Sequence, residues 1–263
     1  MKTILDFLKV KRENKKITMI STYDYWSALI CEEVGIDCIL VGDSLGMVVQ
    51  GQDSTLPVSL DEIIYHAKAV RRGAPNTFIV VDMPFLTYQV NKEEALKNAG
   101  RIMQETGANA VKLEGGEEIL ETVEKLVKSG IPVMGHLGLT PQSVHALGGY
   151  KVQGKTKEKQ EKLKRDAKLL QDAGVFSIVL EAIPKSLAED ITNSLEIPTI
   201  GIGAGNKTDG QVLVFHDLLG FFDKSPKFVK RYLEGKKLFK DAISQFIKEV
   251  EEETFPDEKH TYL

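Results

Sequence analysis

Short apolar runs rich in β-branched residues recur along the chain and predict the strands of a sheet. Eight such runs occur, and most are separated by segments whose apolar residues recur at helical spacing. The runs are almost continuously apolar, which is typical of parallel strands that are covered on both faces. The predicted strands are ITMIST (17–22), CILVG (38–42), FIVVD (78–82), AVKLE (110–114), PVMGH (132–136), SIVLE (177–181), PTIGI (198–202) and QVLVF (211–215).

Capping signals indicate where the intervening helices begin and end. Ser59 followed by Glu62 has the spacing of a capping box, and Gly73 is expected to end that helix. An Asn cap is expected to begin the next helix. Three later glycines are expected to end their helices in the left-handed conformation: Gly107, Gly130 and Gly174.

Eight strand and helix units in 263 residues favour a (β/α)8 barrel of α/β class, with a doubly wound open sheet as the competing topology. The segment TILDFLKVKREN is expected to form a helix that plugs the amino-terminal end of the barrel. A helical carboxyl-terminal tail is expected from Ser225, as its cap, and Pro226 through Glu253. No internal linker is evident, so residues 1–263 are expected to form one domain.

Charge and composition argue against several classes of protein. The net charge is −4, and 34 basic residues are interspersed with 38 acidic ones, so a nucleic-acid binder is disfavoured. No window approaches the roughly 20 apolar residues of a membrane span. Cys31 and Cys38 lie in apolar surroundings without a metal-binding spacing, which predicts buried free thiols in a reducing cytosol. A cytoplasmic protein without a membrane partner is expected.

The candidate site residues lie where the predicted strands end, because barrels of this class place their active sites at the carboxyl ends of the strands. Four carboxylates around one mouth repel each other unless protons or a cation compensate, and oxygen ligands without cysteine favour Mg²⁺ over zinc. The sequence therefore predicts a magnesium site. The candidates are Asp43 and Ser44 after strand two, Asp82 on strand three, Lys112 and Glu114 on strand four, His136 ending strand five, and Glu181 ending strand six.

These residues admit more than one role. Asp43 is either a metal ligand with Asp82 or the cap of a short helix. Glu114 either ligates the ion directly or acts from its outer shell, and Glu181 remains free as a base. His136 is either a substrate or outer-shell contact or a structural histidine.

The spacing of strand four carries a further expectation. Lys112 and Glu114 are two residues apart, so they point to the same side of the strand. If that side is the lumen, the lysine requires a partner or a bound anion, because burying an unpaired charge is costly.

Two glycine-rich segments also have alternative interpretations. Residues 145–155, HALGGYKVQGK, form either a cover over the mouth or a solvated turn. GIGAG at 201–205 resembles the phosphate-binding loops that follow barrel strand seven, but such turns also serve simply to reverse the chain.

At these positions the sequence closely resembles the ketopantoate hydroxymethyltransferase family. The resemblance covers residues 3–250 and implies a barrel of the phosphoenolpyruvate/pyruvate type. The matching motifs are ITMISTYDYWSALICEEVGID, VGDSLGMVVQGQDSTLPVSLDE, VVDMPF, AVKLEGG, GHLGLTPQS, GGYKVQGK, VLEAIP, IPTIGIGAG and DGQVLVFHDLLG.

The resemblance implies an activity and a set of residue roles. The reaction would move a hydroxymethyl group from 5,10-methylenetetrahydrofolate to 3-methyl-2-oxobutanoate, giving 2-dehydropantoate and tetrahydrofolate in pantothenate biosynthesis. It further implies a homo-oligomer, commonly a decamer. The implied roles are Mg²⁺ binding by Asp43, Asp82 and Glu114, contact with the 2-oxo acid by Asp43, Ser44, Asp82 and Lys112, and proton abstraction by Glu181.

Two other functions are compatible with a barrel of this kind. A Mg²⁺-dependent lyase that cleaves a carbon–carbon bond would use the same metal and enolate chemistry, and dependence on folate would distinguish the transferase from it. A non-catalytic sensor of an acidic metabolite is disfavoured, because four converging carboxylates and a lysine have little purpose without metal chemistry.

Overall fold

Eight parallel strands form a closed barrel in the order in which they occur along the chain. The computed structural model describes residues 3–262. It confirms the predicted barrel and excludes the open sheet. The strands are β1 (Ile17–Ser21), β2 (Cys38–Val41), β3 (Phe78–Asp82), β4 (Ala110–Glu114), β5 (Val133–Gly138), β6 (Ser177–Glu181), β7 (Thr199–Ile202) and β8 (Gly210–Val214).

Helices precede, separate and follow these strands. They are α1 (Ile4–Arg12), α2 (Tyr25–Glu33), α3 (Leu45–Val48), α4 (Leu60–Gly73), α5 (Lys92–Thr106), α6 (Leu120–Lys128), α7 (Lys157–Asp172), α8 (Lys185–Ser194), α9 (Phe215–Leu218) and α10 (Gly235–Glu251). Within residues 3–262, none of these helices combines the length and apolar character that a membrane crossing requires.

The chain divides into two compact units. The first ends at Val214 and contains the barrel with α1–α8. The second begins at Phe215 and contains α9 and α10. Both cysteines belong to the first unit, and both are buried free thiols, as the sequence predicts.

The predicted capping signals operate in the barrel unit. The Ser59 hydroxyl accepts a hydrogen bond from the Glu62 backbone N–H, and the Glu62 carboxylate accepts one from the Ser59 backbone N–H, so α4 has the expected capping box. The Asn91 side chain caps α5. The glycines that follow α5, α6 and α7 have the expected positive φ: Gly107, Gly130 and Gly174.

Gly73 ends its helix and also allows two helices to approach each other closely. It is the last residue of α4 and does not adopt a positive φ. A Cβ at this position would lie 2.1 Å from the Tyr25 carbonyl oxygen. Gly73 therefore ends its helix, as predicted, and it is required because the backbones of α2 and α4 approach each other closely.

Helix α1 packs against the amino-terminal end of the barrel, as predicted. Its Phe7 is fully buried and makes edge-to-face contacts with Phe78 and Phe176, with ring centroids 5.0 Å apart in both pairs. Phe78 begins β3 and Phe176 immediately precedes β6, so this aromatic cluster closes the lumen at the end opposite the carboxyl ends of the strands.

The carboxyl-terminal helix begins later than the sequence predicts. Ser225 is not its cap, because α10 starts at Gly235. Residues 225–234 are not helical, and the Arg231 guanidinium donates hydrogen bonds to the carbonyls of Phe222 and Asp223. The hydrogen bonds from Arg231 to the preceding loop hold the chain around Pro226 in a conformation that is not helical.

Candidate active site

Barrel register brings the predicted site residues of neighbouring strands side by side. Asp82 of β3 pairs with Lys112 of β4, and Glu114 of β4 pairs with His136 of β5. Gly138 of β5 pairs with Glu181 of β6. Because parallel strands end at the same rim, the register alone collects charged groups from four consecutive strands at one mouth.

Asp43 and Asp82 lie next to each other at this mouth. Asp43 follows β2, and its backbone N–H donates a 3.0 Å hydrogen bond to Asp82 Oδ2. The Asp43 carboxylate does not cap α3, because Ser44 occupies the cap position. Instead, Asp43 Oδ2 accepts a 2.8 Å hydrogen bond from Gln142 Nε2. The helix-cap interpretation of Asp43 is therefore wrong, and its carboxylate faces the mouth.

Lys112 is buried and has the partners that the spacing of strand four requires. Its Nζ lies 3.1 Å from Asp82 Oδ1 and 4.0 Å from Glu114 Oε1. Lys112 and Glu114 thus share one side of β4, as predicted. Burial lowers the pKa of Lys112, but Asp82, Glu114 and Asp43 outweigh burial and raise it above its usual value, so the lysine carries its charge.

His136 bridges two of the carboxylates. Its Nδ1 lies 3.3 Å from Glu114 Oε1 and 3.0 Å from Lys112 Nζ, and its Nε2 lies 3.2 Å from Glu181 Oε2. Burial and Lys112 lower its pKa, but the contacts with Glu114 and Glu181 outweigh them and raise it. His136 does not end its strand, because β5 continues to Gly138. It belongs to the charged cluster and is not an isolated core histidine.

Glu181 occupies the most accessible position among these carboxylates. Its side chain is 16% exposed, whereas those of Glu114 and Asp82 are each 4% exposed. Ala182, the residue after it, has a φ of 46°, which is unusual for a residue with a Cβ. The backbone N–H of Ala182 donates to the Ile202 carbonyl, which fixes this conformation at the end of β6.

Ser44, which follows Asp43 after β2, contacts an aromatic side chain from the loop after β1. The Ser44 hydroxyl lies 2.7 Å from the Tyr23 hydroxyl, which also accepts a 3.1 Å hydrogen bond from Ser21. Ser44 is partly exposed, whereas Tyr23 is fully buried. This chain of hydroxyl groups holds Ser44 at the mouth beside Asp43.

Gln142 and Tyr88 belong to the site, although sequence reasoning did not single them out. Gln142 follows β5 in a short 3₁₀ turn, and its backbone N–H donates a 3.0 Å hydrogen bond to Glu114 Oε2. The Tyr88 hydroxyl accepts from the Glu114 backbone N–H at 3.1 Å and lies 2.8 Å from Gln142 Oε1. For Gln142 the signal in the sequence is a polar residue just beyond a strand end, within the motif GHLGLTPQS.

Residues 145–155 reach across the mouth. The Tyr150 hydroxyl lies 3.5 Å from Met47 Sδ in the segment after β2, and the Gln153 N–H donates to the Ala182 carbonyl after β6. Partial burial, followed by the charges of Asp43, Glu181 and Glu114, raises the pKa of Tyr150. The loop therefore lies within the electrostatic field of the site.

Charge is unbalanced at this mouth. Burial raises the pKa of Asp43 well above its usual range, and Asp82 and Glu114 raise it further. Burial also raises the pKa of Asp82, and this effect exceeds the opposing effect of Lys112. Burial acts in the same direction on Glu114, but His136, Lys112 and the Gln142 N–H together outweigh it, so the pKa of Glu114 lies below its usual value. The aspartate pair is therefore the part of the site that most requires positive charge.

The residues fit a divalent cation held by two carboxylates. Within residues 3–262, no three or more His, Cys, Asp or Glu side chains are arranged as a complete metal cluster. Magnesium needs only one or two protein carboxylates, with water and substrate in the other positions. Asp82 Oδ1 is buried, and no group among residues 3–262 donates a well-oriented hydrogen bond to it, although Lys112 Nζ lies nearby. Asp43 and Asp82 supply hard oxygen donors of the kind that Mg²⁺ prefers.

Comparison with known proteins links this geometry to one family. The model of the ketopantoate hydroxymethyltransferase family matches residues 1–258. A 3-methyl-2-oxobutanoate hydroxymethyltransferase of Aquifex aeolicus is 59% identical over 255 residues, which cover 97% of this chain and 96% of the relative. The enzyme of the same name from Carboxydothermus hydrogenoformans is 58% identical over 261 residues, which cover 99% of this chain and 95% of the relative.

Solved structures with similar folds are much more distant in sequence. A phosphonopyruvate hydrolase crystallised with oxalate and Mg²⁺ has a TM-score of 0.66 at 11% identity, covering 99% of this chain and 93% of that chain. A 2,3-dimethylmalate lyase of the PEP mutase/isocitrate lyase superfamily has a TM-score of 0.62 at 15% identity, covering 99% and 92%. These similarities confirm the fold type expected from the sequence.

Proposed function

The chain belongs to the ketopantoate hydroxymethyltransferase family, and from this premise we propose that the charged mouth of its barrel is the active site. The protein is an enzyme that transfers a hydroxymethyl group to 3-methyl-2-oxobutanoate in pantothenate biosynthesis. We propose 5,10-methylenetetrahydrofolate as the donor, and 2-dehydropantoate and tetrahydrofolate as the products. The observation that carries the site assignment is the buried aspartate pair beside a protonated lysine, with a separate and more accessible glutamate.

Asp43 and Asp82 are the proposed ligands of Mg²⁺. Burial, together with the neighbouring carboxylates, raises the pKa values of both groups, and a bound divalent cation would favour their charged forms. Glu114 is the third proposed residue of the metal site. Its carboxylate already contacts His136 and accepts a hydrogen bond from the Gln142 N–H, which favours an interaction with the metal through a bound water. Bound Mg²⁺ would supply Lewis acidity to the substrate's keto group and so make the C3 proton more acidic.

Lys112 and Ser44 are proposed to bind the 2-oxo acid together with the aspartates. The lysine is protonated and held between Asp82 and Glu114, so its charge is fixed before substrate arrives. A fixed positive charge stabilises the oxygen on which negative charge develops without the cost of reorganisation. Ser44 is oriented by Tyr23 and supplies a polar contact at the same rim.

Glu181 is the proposed base that removes the C3 proton. It ends β6, whereas the aspartates belong to the ends of β2 and β3, and its greater exposure suits a group that contacts substrate. A positioned general base typically contributes about 10²- to 10⁴-fold to rate. Loss of the proton gives an enolate, whose C3 forms a bond to the one-carbon unit. Both bonds from that carbon to the folate nitrogens break, water supplies the hydroxyl oxygen, and the C3 proton and one proton of the water end on the two nitrogens of tetrahydrofolate.

His136 is proposed to hold Glu181 in place. In its neutral form His136 accepts from Lys112 at Nδ1 and carries its proton on Nε2, which lies 3.2 Å from Glu181 Oε2 but makes no well-oriented hydrogen bond among residues 3–262. In its protonated form Nδ1 also carries a proton, and this nitrogen lies beside Glu114. Both forms place a donor against the glutamate.

The segment 145–155 is proposed as a cover over the folate and 2-oxo acid. Its contacts with Met47 after β2 and with Ala182 after β6 span the mouth. Exclusion of water would protect the enolate from protonation and strengthen the charge interactions beneath it.

We also propose a cytoplasmic homo-oligomer, with ten copies as the expected number. The two buried free thiols are consistent with a reducing compartment. In the second unit, α10 exposes six large apolar side chains, which favours contact with another copy. They are Leu238, Phe239, Ile243, Phe246, Ile247 and Val250.

Proton NMR in D₂O tests the proposed reaction directly. The enzyme, 3-methyl-2-oxobutanoate, 5,10-methylenetetrahydrofolate and Mg²⁺ are combined, with EDTA as the control. We expect metal-dependent loss of the C3 methine signal and appearance of a hydroxymethyl signal. Exchange of the methine without product would support enolisation but contradict the folate donor. Carbon–carbon cleavage of a 2-oxo or hydroxy acid would instead identify a lyase.

A further inference from the structure

Gln142 occupies a central position beneath the proposed metal site. It is 5% exposed and lies in the 3₁₀ turn that follows β5. Its side-chain amide donates one hydrogen bond of 2.8 Å to Asp43 Oδ2 and another of 2.9 Å to the Met83 carbonyl. Both amide protons are therefore used, and they connect the end of β2 with the end of β3.

The acceptor side of the same amide is also satisfied. Gln142 Oε1 accepts a 3.1 Å hydrogen bond from Gln89 Nε2 and lies 2.8 Å from the Tyr88 hydroxyl. This arrangement fixes the orientation of the amide. A flipped amide would place its oxygen against the Asp43 carboxylate and the Met83 carbonyl, where two acceptors would face a third.

The Gln142 backbone adds a contact with a second carboxylate. Its N–H donates a 3.0 Å hydrogen bond to Glu114 Oε2. Gln142 thus contacts two of the three carboxylates of the proposed metal site, Asp43 and Glu114. It lies on a loop that contains neither of them. Asp82 receives its own backbone hydrogen bond from the Asp43 N–H, so an Asp43 that shifts would disturb Asp82 as well.

We infer that Gln142 is a positioning residue that orients Asp43 and Glu114 for metal binding. This inference rests on the proposed function, since it takes Asp43 as a ligand. The amide commits Oδ2 of Asp43 to a fixed hydrogen bond and so limits rotation of the carboxylate. Partners that orient ligands in this way typically change metal affinity or activity by about 10- to 100-fold when they are lost.

Binding of Mn²⁺ alone, followed by electron paramagnetic resonance without substrate, tests this role. Gln142→Met preserves approximate length but removes both donors, and we expect the Kd for Mn²⁺ to rise about 10- to 100-fold. In steady state, the Mg²⁺ concentration needed for half-maximal rate should rise similarly, with kcat largely recovered at saturating metal. Gln104→Met, the same change at an exposed position of α5, is the matched control and should leave both values unchanged.

A double-mutant cycle separates positioning from a general structural effect. If Gln142 acts through Asp43, adding Gln142→Met to Asp43→Ala should weaken Mn²⁺ binding by much less than it does in the wild-type background. Equal losses in both backgrounds would overturn the inference, and so would an unchanged Kd in a folded Gln142→Met protein. Should Gln142→Met fail to fold, as judged by its thermal transition, Gln142→Asn gives the same comparison, because its shorter amide does not reach Asp43. Absence of Mn²⁺ binding by the wild-type enzyme would instead refute the proposed metal site.

Discussion

Asp82 joins the two charged parts of the mouth. One carboxylate oxygen lies near Lys112 Nζ and the other accepts the Asp43 backbone N–H. The side chain is therefore held between the proposed metal position and the proposed oxyanion partner. Its environment raises its pKa through burial even though the lysine opposes the shift. Burial therefore disfavours the charged form of the Asp82 carboxylate, and a bound cation would favour it.

Replacing Asp82 tests that assignment. Asp82→Asn keeps the shape but removes the charge, so we expect Mg²⁺ affinity to fall by at least about 10- to 100-fold, with activity partly restored at high metal. Calorimetric titration with Mg²⁺ and initial rates across metal concentrations measure the two effects. Asp172→Asn, at the exposed last position of α7, is the control. Unchanged activity of Asp82→Asn at limiting Mg²⁺ would remove Asp82 from the ligand set.

The raised pKa values also predict how stability depends on pH. Unfolded aspartates have a pKa of about 3.9, and the folded values of Asp43 and Asp82 lie above their unfolded values, so the metal-free folded state holds these protons more tightly. Their stabilising effect is present below the unfolded pKa and is lost as the pH rises through the folded pKa. Metal competes with these protons, so the rise in Tm caused by Mg²⁺ should be larger at about pH 8 than at about pH 5. An equal rise at both pH values would contradict this linkage.

At the scale of elements, caps and register place the site. Some of the helices between strands begin at side-chain caps that are recognisable in the sequence, such as Ser59 before α4 and Asn91 before α5. Strand ends then present their polar residues at one rim because every strand runs in the same direction. Local sequence is enough to predict these features, since each involves residues only a few positions apart.

Ser59→Ala measures the contribution of one such cap. Loss of a serine cap typically costs 0.5–2 kcal/mol, so we expect a free energy of unfolding lower by about 1 kcal/mol and a reduced Tm. Activity at a temperature well below the transition should be unchanged. Ser186→Ala, at an exposed position in the first turn of α8, is the matched control. A Tm equal to that of this control would show that the cap contributes nothing measurable.

Features that depend on distant contacts were not predictable from the sequence. Gly73 is needed because α2 passes close to its Cα, and residues 225–234 avoid the helix because Arg231 binds the preceding loop. Gln142 has no charge and gains its role only from partners 99 and 28 positions away in the chain. The charged members of the cluster were predictable, because carboxylates at strand ends have a recognisable chemistry, whereas neutral hydrogen-bonding residues leave no comparable pattern.

At the scale of the whole molecule, α10 raises the question of assembly. Only Gly235 is buried among its residues, and its large apolar side chains are about half exposed. A helix with such a surface in a folded protein normally contacts another surface. The proposed homo-oligomer supplies one.

Ile243→Glu tests whether this surface joins copies of the chain. A charge at a buried interface position should dissociate the oligomer or lower its mass, as measured by sedimentation velocity. Ser244→Glu adds the same charge at the next, also exposed, position and should have a smaller effect. An unchanged mass for Ile243→Glu would exclude α10 as a major interface, and a wild-type mass of one chain would refute the homo-oligomer.

The central claim is that Glu181 acts as the base at a metal site that it does not help to form. Deuterium exchange at C3 of 3-methyl-2-oxobutanoate, measured by NMR in wild type and Glu181→Gln with Mg²⁺, tests it most directly, with Glu158→Gln as control. We expect Glu181→Gln to bind Mg²⁺ and substrate as wild type does but to exchange about 10²- to 10⁴-fold more slowly. Exchange at the wild-type rate, or loss of substrate affinity in parallel with exchange, would contradict the account.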